Sequence, residues 1–501
     1  CLGSVRTQIG VPGLKEEDVA DAGSVAGETA DFGYTPELTR TLGSFQVFAI
    51  SFAFISVAVG IFATYDEVLI SSGPVGIWLW VVAAVGQTLV ALVVAQFAAL
   101  IALSGSSYQW ASRLANPKIG WLFGWLTFWY LAIAVVALDN ALASQALMPL
   151  LGMDGSEATA RLLTVVILLV QAILVIASTR LLGLITSGAV GIELGIVVVL
   201  VLALIVAMAF NGSDLGNLTS RGITADDPNY FAIGGGLMAG MIMGLTTLVG
   251  FDSAANLAEE AKDPFRSVPR AIVASVVAAG LLGLVFLITL TAAIKDIPAI
   301  SASPSPVASI ISGQLGPVAE RLLLACIAFA MFGAGMVVMA ACSRQVFAMA
   351  RDARFPAHGI MKRVNPKTRT PVPATLLILT VGIVLMVALP GSALLQLIIG
   401  STILPALIYG GITVLYLSVR RRLERKEGGF NLGRLELPIA IAALVWLLFV
   451  LFVLVTPADA VVPNLIVVGL ILLGMAYFGY LMIFNRRVLD TEPGENAAFD
   501  D

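Results

Sequence analysis

The sequence predicts an all-α membrane protein of about twelve transmembrane helices, on three observations. Of its 501 residues, 59% are hydrophobic and only 12% are charged. A soluble domain carries roughly 45–50% and about 25%, so the surplus apolar surface needs a cover other than water, and lipid supplies it. The apolar residues also come in unbroken runs, at 43–64, 75–103, 120–148, 162–178, 183–210, 232–256, 271–294, 320–343, 372–390, 393–417, 437–456 and 461–484. Most of these reach the ~20 residues a helix needs to cross a bilayer. The third observation is charge. With the N-terminus on the cytoplasmic side, 24 of the 28 Lys and Arg fall in inward segments, and only Arg161, Arg221, Lys295 and Arg321 fall outside, as the positive-inside rule requires. A membrane barrel would need short alternating strands. The runs here are continuous, and a helix satisfies its own backbone in lipid.

Taken in order, residues 1–40 and 487–501 read as solvated cytoplasmic tails, acidic and Gly-rich without apolar periodicity. The first 40 residues are too polar for a cleavable signal peptide. Run one contains Ser56-Val57-Ala58-Val59-Gly60-Ile61-Phe62, and run six contains Thr246-Thr247-Leu248-Val249-Gly250-Phe251-Asp252-Ser253. Each has a mid-span glycine beside hydroxyls. A glycine there weakens a helix by about 1 kcal/mol relative to Ala. A break at Gly60 or Gly250 would free N–H groups that can hold an anion, although glycines in membrane helices are as often packing contacts. Gly236, Gly240 and Gly244 form a small-residue stripe that lets run six lie against run one.

Three acids fall in the interior of runs. A charge at membrane depth costs a few kcal/mol or more and marks a functional candidate. Glu193 in run five is read as a proton carrier or a partner for a cationic substrate, or else as a structural hydrogen bond to run one or run eight. Asp252 is read as a gating or substrate residue, or as a cap on the half-helix that follows it. Asp139 in run three is read as an attractant for an amino group or as a snorkelled, water-facing side chain. Glu259 and Glu260 at the inner end of run six are read as an inner-gate contact to a basic loop or as a solvated helix end. Phe251 is a candidate lid or a packing residue, and Trp121, Trp125 and Trp129 are interface and packing aromatics.

Enzymatic chemistry has no footing here. The one histidine, His358, lies in a loop, and neither a zinc-protease nor a phosphate-loop motif is present. Cys1, Cys326 and Cys342 make no disulfide framework or metal spacing. No cofactor, no metal and no nucleic-acid partner is expected.

Four ordered stretches resemble the amino acid–polyamine–organocation permease family over about residues 38–485: Val59-Gly60-Ile61-Phe62; Ser104-Gly105-Ser106-Ser107-Tyr108; Gly250-Phe251-Asp252-Ser253-Ala254 with Ala258-Glu259-Glu260-Ala261-Lys262-Asp263-Pro264 and Pro269-Arg270; and Ser343-Arg344-Gln345 with Ala350-Arg351-Asp352 and Phe355-Pro356. The family's usual second glycine in the first stretch is replaced by Ala58 and Val59, and its proline in the second by Ser104. The chain is most similar to the amino acid/choline branch.

The resemblance implies an inverted five-helix repeat, residues 41–210 and 211–418, with two peripheral helices in 419–486. It implies a plasma-membrane secondary transporter that moves amino acids or related amines by alternating access, with choline or polyamine as alternative cargo. The substrate carboxylate would sit near Ser56, Ala58, Val59, Gly60 and Ile61. The amino group would face Thr246, Thr247, Val249, Gly250 and Phe251. Glu193, Asp252, Asp139, Glu259 and Glu260 would serve coupling or gating. Sodium-coupled relatives use hydroxyl ligands from run eight. Leu322 to Cys342 offers no Ser, Thr, Asn or Asp, and hard cations need oxygen ligands, so proton symport or exchange is expected in place of sodium coupling.

Overall fold

A computed structural model describes residues 38, 40–153, 156–303, 305–388, 391–423, 429–457 and 460–494, with 391–399 described by backbone alone. Of the tail expected at 1–40, residues 1–37 and 39 lie outside the described residues. Among the described residues there is no strand; the nearest thing to one is an isolated parallel bridge between Leu42 and Ala261.

Run one is split into α1 (Ser44–Ile55) and α2 (Val57–Ser71). It is followed by α3 (Leu79–Ala98), a short α4 (Ser106–Leu114) and α5 (Pro117–Ala141). A π-turn, Leu142–Leu147, extends α5. Then come α6 (Glu157–Ala177) and α7 (Thr179–Asn211). Run six is broken into short pieces, of which α8 (Ile242–Thr247) and α9 (Ser253–Asn256) flank the gap. The remainder are α10 (Pro264–Ala292), α11 (Pro317–Arg351), α12 (Val372–Ala388), α13 (Gly391–Val419), α14 (Glu436–Val455) and α15 (Val461–Phe484). Ten helices among the described residues are long and apolar enough to cross a membrane, and Gly236–Thr247 and Val372–Ala388 are shorter apolar helices. The chain is a multi-pass membrane protein.

Burial sorts the helices into a centre and a rim. Every residue of α11 from Gly333 to Ala350 is buried, as expected of a helix apolar on all sides and packed on all sides. By contrast α15 buries Pro463, Val467, Gly474 and Leu481 and leaves Leu465, Leu472, Ile483 and Phe484 bare, a face suited to lipid. Trp121 and Trp125 stack at 5.6 Å, and the Trp125 indole N–H donates to the Leu470 carbonyl at 2.9 Å, joining α5 to α15.

The glycine stripe works by close approach. A Cβ on Gly236 would meet the Ser71 carbonyl at 2.1 Å, and one on Gly240 would meet Ser72 Oγ at 1.9 Å. Gly244 instead faces Ala83 of α3, where a Cβ would come within 2.5 Å. The stripe therefore packs run six against the end of α2, beyond run one as bounded by sequence, and against α3.

Candidate functional site

The break in run one falls at Ser56, not at Gly60. Ser56 takes left-handed backbone, φ 40° and ψ 76°, ending α1 and starting α2. That conformation costs a non-glycine residue about 1–2 kcal/mol, so the surroundings must hold it. They do so through Glu193 of α7, 1% exposed. Its Oε1 accepts from the Ala58 N–H at 2.9 Å and from Ser56 Oγ at 3.3 Å. The first N–H groups of a helix have no partner within the helix, and a carboxylate at the positive end of the helix dipole is favourable. Glu193 thus caps α2 from a neighbouring helix. Gly60 is helical, its N–H bonded to the Ser56 carbonyl at 2.9 Å. A Cβ there would lie 2.2 Å from the Thr247 side chain. Gly60 therefore provides close approach between run one and run six, and the chain opens where the external carboxylate can cap it.

The break in run six spans Leu248 to Asp252. Gly250 has φ +77°, and a Cβ on it would sit 1.9 Å from the Phe54 ring. The Gly250 N–H donates to Tyr409 Oη at 3.1 Å, and that hydroxyl donates to Asp252 Oδ1 at 2.6 Å. Tyr409 belongs to α13, so one phenol ties down both sides of the gap. Asp252 is 7% exposed and makes no side-chain cap on α9; the capping role read from sequence is replaced by the bond to Tyr409. Phe251 is fully buried and stacked on Tyr409 at 4.8 Å and 19°, a packing contact.

The two breaks lie against each other. Phe54 covers Gly250, Thr247 fills the space at Gly60, and Ser253 Oγ donates to the Ile50 carbonyl at 3.2 Å. Of the residues read as substrate contacts, Gly60, Thr246 and Val249 are half-buried, whereas Ser56, Ala58, Val59, Ile61, Thr247, Gly250 and Phe251 are buried. The Thr246 hydroxyl donates to its own helix at Ile242, 2.9 Å away. The buried Thr247 hydroxyl has no hydrogen-bond partner.

The remaining acids are placed differently from the solvated alternatives. Asp139 does not snorkel; it is fully buried, with Oδ1 accepting from Gln171 Nε2 of α6 at 2.8 Å. Glu259 and Glu260 are not on a solvated helix end. Glu259 is 5% exposed and receives Arg351 bidentately at 2.6 and 3.1 Å and the Ser104 N–H at 2.9 Å. Glu260 is fully buried, pairs with Arg344 Nε at 2.7 Å and also accepts from the Thr179 hydroxyl. Its carbonyl takes the N–H groups of Thr41 and Leu42 at 2.9 and 3.0 Å. Both arginines sit inside α11, which runs about two turns past the expected loop boundary at 343.

Residues that sequence reasoning missed are the distant partners: Tyr409, Gln171, Thr179, and the arginines as pair members. Tyr409, one of two tyrosines in run 393–417 with Tyr416, was the one available signal, since a buried phenol usually finds a hydrogen bond.

The family model described as "Amino acid permease" matches residues 42–477. A GABA-specific permease of Saccharomyces cerevisiae is 28% identical, the alignment covering 91% of this chain and 83% of that one. Amino-acid permease BAT1 of Arabidopsis thaliana is 26% identical over 95% of this chain and 97% of its own. A Candida albicans protein, named as a candidate polyamine transporter, is 26% identical over 91% and 86%.

Proposed function

Since the chain belongs to the amino acid permease family, and is thereby a permease and not an enzyme, we propose that it is a secondary active transporter carrying amino acids or amino-acid-like amines across the plasma membrane by alternating access, with protons as the coupling ion. Twelve spans follow if the two shorter apolar helices complete the ten longer ones. Residues 41–210 and 211–418 then form the inverted repeats, 419–486 the peripheral pair, and both termini are cytoplasmic.

The observation that carries the proposal is Glu193 on the start of α2. As a carboxylate it occupies the Ala58 N–H that a substrate carboxylate would use. Protonation would remove its charge and weaken that hydrogen bond, since charge-assisted bonds are about twice as strong as neutral ones. The freed N–H, together with those of Val57 and Val59 at the same helix start, then accepts the substrate anion. Proton binding at Glu193 and carboxylate binding at the break strengthen each other by linkage, which is symport. Across the gap, Asp252 and the carbonyls of Leu248 and Val249 face the amino group, the Gly250 carbonyl being taken by the Ser253 N–H at 3.0 Å. The ion pairs of Glu259 and Glu260 form the closed inner gate.

A second reading has its own support. While ionised, Glu193 leaves an anion beside the break, a counter-ion for choline or a polyamine that lacks a carboxylate.

Uptake into liposomes separates the two. The panel is 4-aminobutyrate, α-amino acids, choline and putrescine, each with and without an inward proton gradient. A carboxylate-bearing amine is expected to accumulate only with the gradient, and Glu193→Gln to transport without responding to it. Movement of choline or putrescine alone would favour the second reading. Uptake driven by sodium and indifferent to protons would overturn proton coupling.

A further inference from the structure

A second buried polar pair lies away from the two breaks, between α5, α6 and α11. Asp139 Oδ1 accepts from Gln171 Nε2 at 2.8 Å, and that same nitrogen donates to the Phe332 carbonyl at 3.2 Å. The other atom of each group is left over. Asp139 Oδ2 and Gln171 Oε1 are both buried, and neither has a hydrogen-bond partner. Both are acceptors, so the defect is specifically a missing donor. The backbone of α11 closes over the pair at Gly335, where a Cβ would stand 2.4 Å from both Asp139 Oδ1 and Gln171 Nε2. The π-turn Leu142–Leu147 begins three residues after Asp139 on the same strand of helix.

Among the described residues no cation supplies the missing donor from nearby. On α5 the nearest titratable side chain is Tyr130, nine residues away, and the π-turn has none. On α6 Glu157 and Arg161 are ten or more residues from Gln171, about 15 Å or more along the helix, and Arg161 bonds to Glu157 and to the Met386 carbonyl. On α11 Glu320 and Arg321 lie at least fourteen residues from Gly335, Cys326 and Arg344 nine, and Cys342 seven, or roughly 10–21 Å. Arg351 is farther still. Arg344 is committed to Glu260, Arg351 to Glu259, and Cys342 to the Phe128 carbonyl. No titratable residue occurs in α12. On α7, Arg180 stands at the far end of the helix and Glu193 turns to Ser56 and Ala58.

We propose that Asp139 and Gln171 form a proton-binding site in which Asp139 carries a proton on Oδ2 and shares it with the Gln171 carbonyl. A protonated carboxyl has one O–H donor, so a single proton taken from water gives both orphaned atoms a partner and removes a bare anion from the membrane interior. Nothing else is consumed. Gly335 and Arg344 stand on one continuous helix, so a movement of α11 that opens the inner ion pairs also lifts the backbone from Asp139 and lets the proton go. This site is distinct from Glu193 and does not depend on which solute is carried.

Infrared difference spectroscopy of the full-length protein in lipid vesicles tests it, without cargo or gradient. The spectrum at neutral pH is expected to contain the carbonyl stretch of a buried protonated carboxyl, shifted by deuterium exchange and abolished by Asp139→Asn. Gln171→Met preserves side-chain length but removes both amide groups, and it is expected to shift the band without abolishing it. Identical spectra for wild type and Asp139→Asn overturn the proposal, as does a band that Gln171→Met leaves unmoved. If Asp139→Asn fails to fold, the Gln171→Met shift alone decides. Failure here leaves uptake and its response to Glu193→Gln untouched, so the two proposals fail separately.

Discussion

At Gly250 the missing side chain serves twice, allowing φ +77° and making room for the Phe54 ring. Gly250→Ala is expected to lower the melting temperature in detergent through both effects. Phe54→Ala in the same protein should recover the steric part and leave about 1–2 kcal/mol from the left-handed backbone. Full recovery would mean that the backbone there carries no strain. Tyr409→Phe removes the hydroxyl that joins the Gly250 N–H to Asp252, stranding two buried groups at a cost of about 1–3 kcal/mol. A thermal melt of the variant checks the stability, and the uptake assay should show a loss of transport that Phe at position 251 cannot offset by stacking. Gly250 and Asp252 were legible in the sequence because an intramembrane acid is rare and costly and a mid-span glycine beside it weakens the helix there. Tyr409 was not, because it stands 157 residues from Asp252 and nothing local records such a pairing.

At the scale of elements, the end of run six is held by two ion pairs to α11, one fully buried and one nearly so. Breaking a buried pair at one partner costs about 3–5 kcal/mol, whereas replacing both partners by apolar side chains is often neutral. Glu260→Met and Arg344→Met are each expected to destabilise strongly, and the double variant to recover most of the loss. Additive losses, read in thermal melts, would mean the two do not act as a pair. A Thr41→Cys reporter, beside the Glu260 carbonyl, should react faster with a water-soluble thiol reagent in the single variants, because the inner end loosens. Sequence placed both acids just after run six but left a solvated surface open as a reading. Burial depends on α11 extending to Arg351, and Arg and Glu at a helix end look the same in sequence whether they face water or a partner.

Across the whole molecule, both ends of the described chain converge on one end of the bundle. Leu42 pairs with Lys262 there, and the segment after α15 folds back onto α4 and the loop beyond α11. Fully buried Arg354 donates to the Val488 and Thr491 carbonyls at 3.1 and 2.5 Å. Asp352 Oδ1 takes the Gly494 N–H at 3.1 Å. Leu489 is fully buried. The solvated tail read at 487–501 is therefore docked as far as Gly494. Its acidic composition misled because backbone carbonyls, which composition does not register, make most of these contacts. Deleting residues 488–501 is expected to lower the melting temperature by several degrees, since Arg354 and Asp352 would lose buried partners. No shift would mean that the docked segment adds nothing. The outer bridge of Lys118 to Asp490, 2.7 Å, contributes less. The Lys118 hydrogen bond holds the Asp490 carboxyl below the usual carboxylate range, so its stabilisation exists above that range and disappears in acid. As an exposed pair it is screened.

Some of this protein was settled by sequence alone, because hydrophobic length and charge asymmetry are properties of composition along a chain. These settled its membrane character and the positions of the apolar runs, and the mid-span glycines beside hydroxyls marked runs one and six as the segments where irregular backbone belongs. Tertiary structure alone decided that run one opens at Ser56 and not at Gly60, that Glu193 caps the opening, and that Asp139, Glu259 and Glu260 are buried. Each of those outcomes depends on a partner on a different helix, more than thirty residues away in sequence. A buried polar group takes its role from whatever neutralises it, and that neighbour exists only once the helices have packed.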